Sequence, residues 1–82
     1  VKVRLSRRAA RDYEALPRPL QRQSNKQFDL LAKNLRHPSL QAKKYPEAGE
    51  GIWQGRVNRD YRFYFVVVED VYIVLRIIVH PK

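Results

Sequence analysis

Eighty-two residues give room for one domain, expected over residues 1–82, with a core small enough that tight packing or a partner must help to stabilise it. The absence of cysteine excludes disulfide staples and thiolate metal sites and fits a cytoplasmic protein. Seventeen Lys and Arg against eight Asp and Glu leave a net charge of +9, which points to a polyanionic partner, since neutralising phosphates releases counterions and speeds encounter.

The charge is unevenly spread. Residues 1–36 hold ten basic and three acidic side chains, a net of +7, whereas residues 37–60 and 61–82 each carry +1. A membrane is not expected as the anionic partner, because the apolar residues of the basic half are needed for a core. The first residues contain no apolar run before a cleavage site, so no secretory signal is expected. The most apolar stretch, Val71 to Val79, is strand-length and carries Arg76, too short for a membrane span.

In chain order, Val1, Val3 and Leu5 alternate with Lys2 and Arg4, the pattern of a half-buried strand. Ser6 offers an N-cap, and Ala9, Tyr13 and Leu16 recur at helical spacing until Pro17 and Pro19 stop them. A second helix is expected from about Pro19, with Leu20, Phe28, Leu31 and Leu35 on one face, ending before Pro38. So short a break predicts a helical hairpin. Residues 37–51 contain two prolines and two glycines without a usable period and read as a loop. Three strands follow, roughly Ile52–Asn58, Tyr61–Val68 and Val71–His80, with turns at Asn58–Asp60 and Glu69–Asp70. The predicted fold is α+β, in the order β-α-α-β-β-β, an antiparallel sheet with the two-helix hairpin packed on one face.

Strand alternation sorts the side chains. Tyr61, Phe63, Phe65 and Val67, with Val71, Ile73, Leu75, Ile77 and Val79, are expected to face the helices. The other face then carries Gln54, Arg56, Asn58, Arg62, Tyr64, Val66, Val68, Tyr72, Val74, Arg76, Ile78 and His80. A three-residue loop at 58–60 places Arg56 opposite Arg62, and one at 69–71 places Arg62 opposite Ile78, with His80 diagonal at roughly 7 Å. Two arginines so placed either hold an anion between them or splay into water. Trp53 reads as a core anchor, and His80 on residue type alone could be a surface histidine. Two histidines without cysteine do not make a structural zinc site, and no phosphate-binding glycine loop or nucleophile motif is present. No metal or cofactor is expected.

The stretch from Ile52 to His80 resembles the RelE/ParE toxin superfamily, in particular its RelE and YoeB-like branches. Trp53, Arg56, Tyr61-Arg62, the apolar run to Val68 and the terminal His80 carry the resemblance, and the element order extends it over nearly the whole chain. It implies the toxin of a type II toxin–antitoxin system, a metal-independent endoribonuclease that cleaves mRNA in the ribosome and blocks translation. In that reading Arg62, assisted by Arg56, stabilises the phosphorane, and His80 is the general acid. Glu47 is the best available carboxylate base, although its spacing to Trp53 departs from the family's glutamate. Lys43, Lys44, Tyr45, Gln54, Arg59, Tyr64 and Arg76 would contact RNA, and Val66, Val68, Tyr72, Val74 and Ile78 would receive the antitoxin. Two departures stand out. Gln54 replaces a frequent lysine, and Pro81 follows His80 where YoeB-like toxins have tyrosine. The alternatives are therefore a ParE-like inhibitor of DNA gyrase without nuclease activity, or a non-catalytic module that binds nucleic acid and antitoxin.

Overall fold

Ser6 begins the helical part as the sequence predicts. Its hydroxyl accepts from the Ala9 amide at 3.1 Å, and α1 runs over Arg7–Ala15. In the computed structural model, which describes residues 2–80, α1 follows strand β1 (Lys2–Leu5) and leads through Pro17 into α2 (Arg18–Lys33). Then come β2 (Lys43–Lys44), β3 (Trp53–Arg56), β4 (Tyr61–Val68) and β5 (Val71–Val79), with single 3-10 turns at Pro38–Leu40 and Pro46–Ala48. Val1, Pro81 and Lys82, to which the strand reading and the departure after His80 refer, lie outside the described residues.

The strand order is β1-β5-β4-β3-β2. The α+β class and the helical hairpin are as expected, but the sheet is mixed. β1 lies parallel to β5, with Lys2 beside Val71 and Leu5 beside Val74, while every other neighbouring pair is antiparallel. A strand that exits into crossing helices can take a parallel neighbour, a possibility that the meander of the last three strands conceals. β2 is the other addition, two residues of the expected loop that pair with Trp53 and Gln54.

The core lies between the helices and one sheet face. Phe63, Phe65, Leu31, Leu40 and Val74 are fully buried, with Ala9, Phe28 and Ile77 packed among them. Phe28 meets Phe63 edge-on, ring centroids 5.2 Å apart, an arrangement aromatic rings favour. The tip of the Phe63 ring also covers Gly55, where an added Cβ would overlap it; a glycine in β3 is what lets this ring come so close to the strand.

The helix-facing pattern holds along β4 but not along the first half of β5. Tyr64 pairs with Arg76 and Phe65 with Val74, which leaves Leu75 as a β-bulge. One extra residue shifts the alternation, so every side chain before it exchanges faces. Val74 and Tyr72, expected on the open face, are therefore on the helix side: Val74 is fully buried opposite Phe65, and Tyr72 packs against the core. Val71 and Ile73, expected in the core, pair with Val68 and Val66 on the open face. The turn is the two residues Glu69–Asp70, with Glu69 at φ 53°, instead of a three-residue loop. The tight turn and the bulge cancel, which is why Arg62 still stands opposite Ile78.

Beyond Leu5, the outer edge of β5 has no strand beside it, and α1 supplies the missing partners. The Ser6 hydroxyl donates to the Leu75 carbonyl at 3.1 Å, and the Asp12 carboxylate accepts from the Ile77 amide at 3.0 Å and from Arg76 Nε at 2.8 Å. Burial alone would raise the Asp12 carboxyl, but the bonds from Arg76 and Ile77 outweigh it and hold the group below its ordinary range. A depressed carboxylate adds stability above its unfolded pKa, about 3.9, and loses it as pH falls through the folded value. Asp12→Ala should cost about 2–3 kcal/mol at neutral pH, because it also strands the buried Ile77 amide. The difference from wild type should shrink in denaturant titrations below about pH 4. A pH-independent difference would assign the loss to packing instead.

Candidate nucleic-acid and active-site face

Antiparallel pairing places Arg56 directly opposite Arg62, and Arg62 directly opposite Ile78, across β3, β4 and β5. The His80 amide continues the ladder by donating to the Asp60 carbonyl at 2.7 Å, which puts His80 on the face that holds Arg62. Three of the four residues expected to do chemistry are thus gathered at one end of the open face, without Glu47.

Arg62 is fixed by the turn before it. Its Nη1 donates to the carbonyls of Asn58 at 2.6 Å, Tyr61 at 3.0 Å and Arg59 at 3.2 Å. The turn is in turn shaped by Asn58, whose side-chain oxygen accepts from the Asp60 and Tyr61 amides and whose amide nitrogen donates to Gln23 of α2 at 2.7 Å. Neither Nε nor Nη2 of Arg62 has a hydrogen-bond partner among the described residues, so half of the guanidinium fork is anchored and half is open. Burial and then the charge of Arg56 push the Arg62 guanidinium below its usual value, only partly offset by Tyr64 and Asp60. Among the described residues, neither arginine forms an ion pair; the salt bridge is that of Arg76 with Asp12. Held cations without a carboxylate in contact are what an anionic group can complete.

Behind the pair, β3 is fastened to α2 by Gln27. This buried amide donates to the Arg56 carbonyl at 2.7 Å and to the Ser39 carbonyl at 3.1 Å. Sequence reasoning missed it. A glutamine on the apolar face of a helix was the available signal, since a buried amide has to find partners.

Tyr64, next on the open face, is buried against Tyr45, ring centroids 5.5 Å apart. Burial first, then Tyr45, raise its phenol above the ordinary value, against the pull of Arg62, so it stays a hydroxyl donor. Tyr45 and Tyr64 border an apolar cavity of about 310 Å3 with Ile52, Leu75 and Ile78. His80 is half-buried, and its Nδ1 is buried without a hydrogen-bond partner.

The other expected residues divide. Lys43 pairs with Gln54 and shares the open face, but Lys44 pairs with Trp53 on the helix side, its Nζ 5.9 Å from the indole centroid. Gln54 is buried, Arg59 is exposed on the turn, and the Arg76 guanidinium is engaged by Asp12. Glu47 is exposed on the 3-10 turn and forms no hydrogen bond or ion pair with Arg56, Arg62 or His80. Of the apolar residues expected to receive a partner, Val66, Val68 and Ile78 lie on the open face, Val68 at 49% exposure. No three His, Asp or Glu side chains gather as a metal site among the described residues, and no helix there is long and apolar enough to cross a membrane.

Comparison with solved structures returns the same fold at low identity. A YoeB/ParE toxin from Agrobacterium tumefaciens matches with a TM-score of 0.83 at 15% identity, covering 99% of this chain and 100% of that one. The YoeB–YefM complex from Staphylococcus aureus matches at 0.79 and 16% identity, over 96% and 95% of the two chains. The RelBE2 toxin–antitoxin complex from Mycobacterium tuberculosis matches at 0.75 and 23% identity, over 96% of each. No curated protein sequence matches. The family model described as ParE toxin of the type II toxin–antitoxin system, parDE, matches residues 3–80. With nearly the whole described chain inside that match and the arginine pair set in the fold it shares with YoeB and RelE, the protein belongs to the ParE toxin family of type II toxin–antitoxin systems.

Proposed function

We propose that this toxin is a metal-independent endoribonuclease that cleaves mRNA on the ribosome, and so acts in the cytoplasm. The observation that carries this reading is the half-open guanidinium of Arg62 facing Arg56, with His80 on the same face. In the reaction the 2′-oxygen of one ribose forms a bond to the adjacent phosphorus, and the bond to the 5′-oxygen of the next nucleotide breaks. The free Nε and Nη2 of Arg62 bind the non-bridging oxygens, whose charge grows in the phosphorane, and Arg56 shares that charge. His80 gives its proton to the departing 5′-oxygen. The 2′-hydroxyl proton passes to solvent or to Glu47, which is free of other contacts. The products are a 2′,3′-cyclic phosphate and a 5′-hydroxyl. Lys43, Arg59 and Tyr64 line the path of the RNA backbone, and Tyr45, packed on Tyr64, stands in for the tyrosine that follows the histidine in YoeB-like toxins.

A cognate antitoxin is the proposed regulator, laid over Val66, Val68 and Ile78 so that it covers the cationic end of the sheet. The solved YoeB–YefM and RelBE2 assemblies are complexes of this kind. A second reading, inhibition of DNA gyrase without cleavage, is favoured by one observation: among the described residues, no carboxylate hydrogen-bonds to Arg56, Arg62 or His80.

Incubation with programmed ribosomes tests the proposal. Cleavage should persist in EDTA, leave a cyclic phosphate, and fall on the order of 10²-fold in His80→Gln, the usual weight of a general acid. An unaltered rate would return His80 to the surface, and a linear 3′-phosphate as the initial product would rule out attack by the 2′-oxygen.

A further inference from the structure

The helix side of the sheet has a second cleft, of about 230 Å3, between the end of α2 and Trp53. Leu35, Pro38 and Ala42 form apolar walls, and Arg36, His37, Gln41 and Trp53 complete the lining; no carboxylate is among these residues. Trp53 is half-buried and rigidly backed, because its ring stacks on the fully buried Phe65 at 6.0 Å with 24° between the planes. Lys44, beside the cleft, holds its Nζ over the indole ring 5.9 Å from the centroid, and neither Arg36 nor Lys44 forms an ion pair among the described residues. The imidazole has a defined tautomer. The Ser39 amide donates to His37 Nδ1 at 3.2 Å, and an amide N–H can only donate, so the proton of the neutral ring sits on Nε2. That Nε2–H and the side-chain amide of Gln41 have no hydrogen-bond partners among the described residues.

We propose that this cleft holds one nucleotide of a single-stranded RNA, its base against Trp53 and its phosphate between Arg36 and Lys44. The donor set fits each part. The indole offers a stacking platform for a base once the exposed Lys44 side chain turns from the ring to the phosphate, His37 Nε2–H and the Gln41 amide match the donors and acceptors of a base edge, and two cations without a carboxylate partner match the phosphate. A neutral small molecule would leave those cations unused. A route to the arginine pair exists as well. β2 consists of two lysines whose partners lie on opposite faces, Lys43 with Gln54 on the open side and Lys44 with Trp53 on the helix side. An RNA strand rounding this edge meets a cation on each face. The inference rests on the RNA reading of the open face for its partner, but not on cleavage.

Trp53 is the only tryptophan, so its fluorescence reports this cleft. The probe is a short single-stranded RNA, fully 2′-O-methylated so that it cannot be cleaved, with inorganic phosphate as the control. Quenching by the RNA is expected, with its midpoint weakened roughly tenfold or more by Arg36→Ala with Lys44→Ala, and changed less than about threefold by Lys2→Ala, an exposed cation at the opposite edge of the sheet. Both exposed lysine and arginine changes should leave the fold intact, checked by circular dichroism. Several results would overturn the proposal: no quenching by the RNA, equal quenching by phosphate, or a midpoint indifferent to the double variant. Loss in Arg62→Ala alone would move the signal to the open face, and quenching by the antitoxin but not by RNA would assign the cleft to protein. A failed ribosome assay beside intact quenching would remove the nuclease reading and leave this site.

Discussion

Replacing Arg62 by alanine is expected to slow ribosome-dependent cleavage by about 10²–10³-fold, the usual effect of removing one preorganised donor from a transition state. In the proposed mechanism the free half of the guanidinium does this work, while the anchored half holds the turn through the carbonyls of Asn58, Arg59 and Tyr61. Loss of that anchoring costs about 1–2 kcal/mol, so a thermal melt should shift without the domain unfolding. Arg62→Lys separates the two roles further. It keeps a charge near Arg56 but not the fork, and should recover little of the rate. Wild-type rates in Arg62→Ala would remove this residue from the chemistry.

The second large effect is structural. Val74→Asp should unfold the protein, because it places an unpaired carboxylate at a fully buried position opposite Phe65. Burying such a group costs several kcal/mol, comparable to the whole stability of a domain this small. Ile78→Asp lies on the half-buried open face and should fold, with antitoxin affinity reduced about tenfold or more. Circular dichroism with antitoxin pull-down distinguishes the two. A folded Val74→Asp that releases the antitoxin would restore the face that simple alternation predicts.

That contrast marks where the sequence is legible. Alternation in β4 is unbroken from Tyr61 to Val68, so its faces, and the pairing of Arg56 with Arg62, could be read directly. In β5 the same apolar pattern, VYIVLRIIV, is compatible with either face throughout, because Val, Ile, Leu and Tyr suit both sides. Nothing in it marks Leu75 as the bulge; that follows from a tight turn at one end and the pairing of Tyr64 with Arg76 at the other. The parallel β1 was also hidden. Its partner comes from the opposite end of the chain, and Asp12, which closes the remaining edge, reads in sequence as one more charged residue on a helix. Positions on the sheet were legible where one strand pair sets them. That Lys43 and Lys44 face opposite sides of the sheet was not legible, because a strand of two residues leaves no pattern.

The most direct test of the nuclease reading is to induce the chain in a bacterium and map transcript 5′ ends as translation stops, with plasmid supercoiling followed in the same cells. New 5′-hydroxyl ends should appear within translated codons, vanish in Arg62→Ala, and arise with supercoiling unchanged. Growth arrest with no new ends, accompanied by broken or relaxed DNA, would contradict it and identify gyrase as the target.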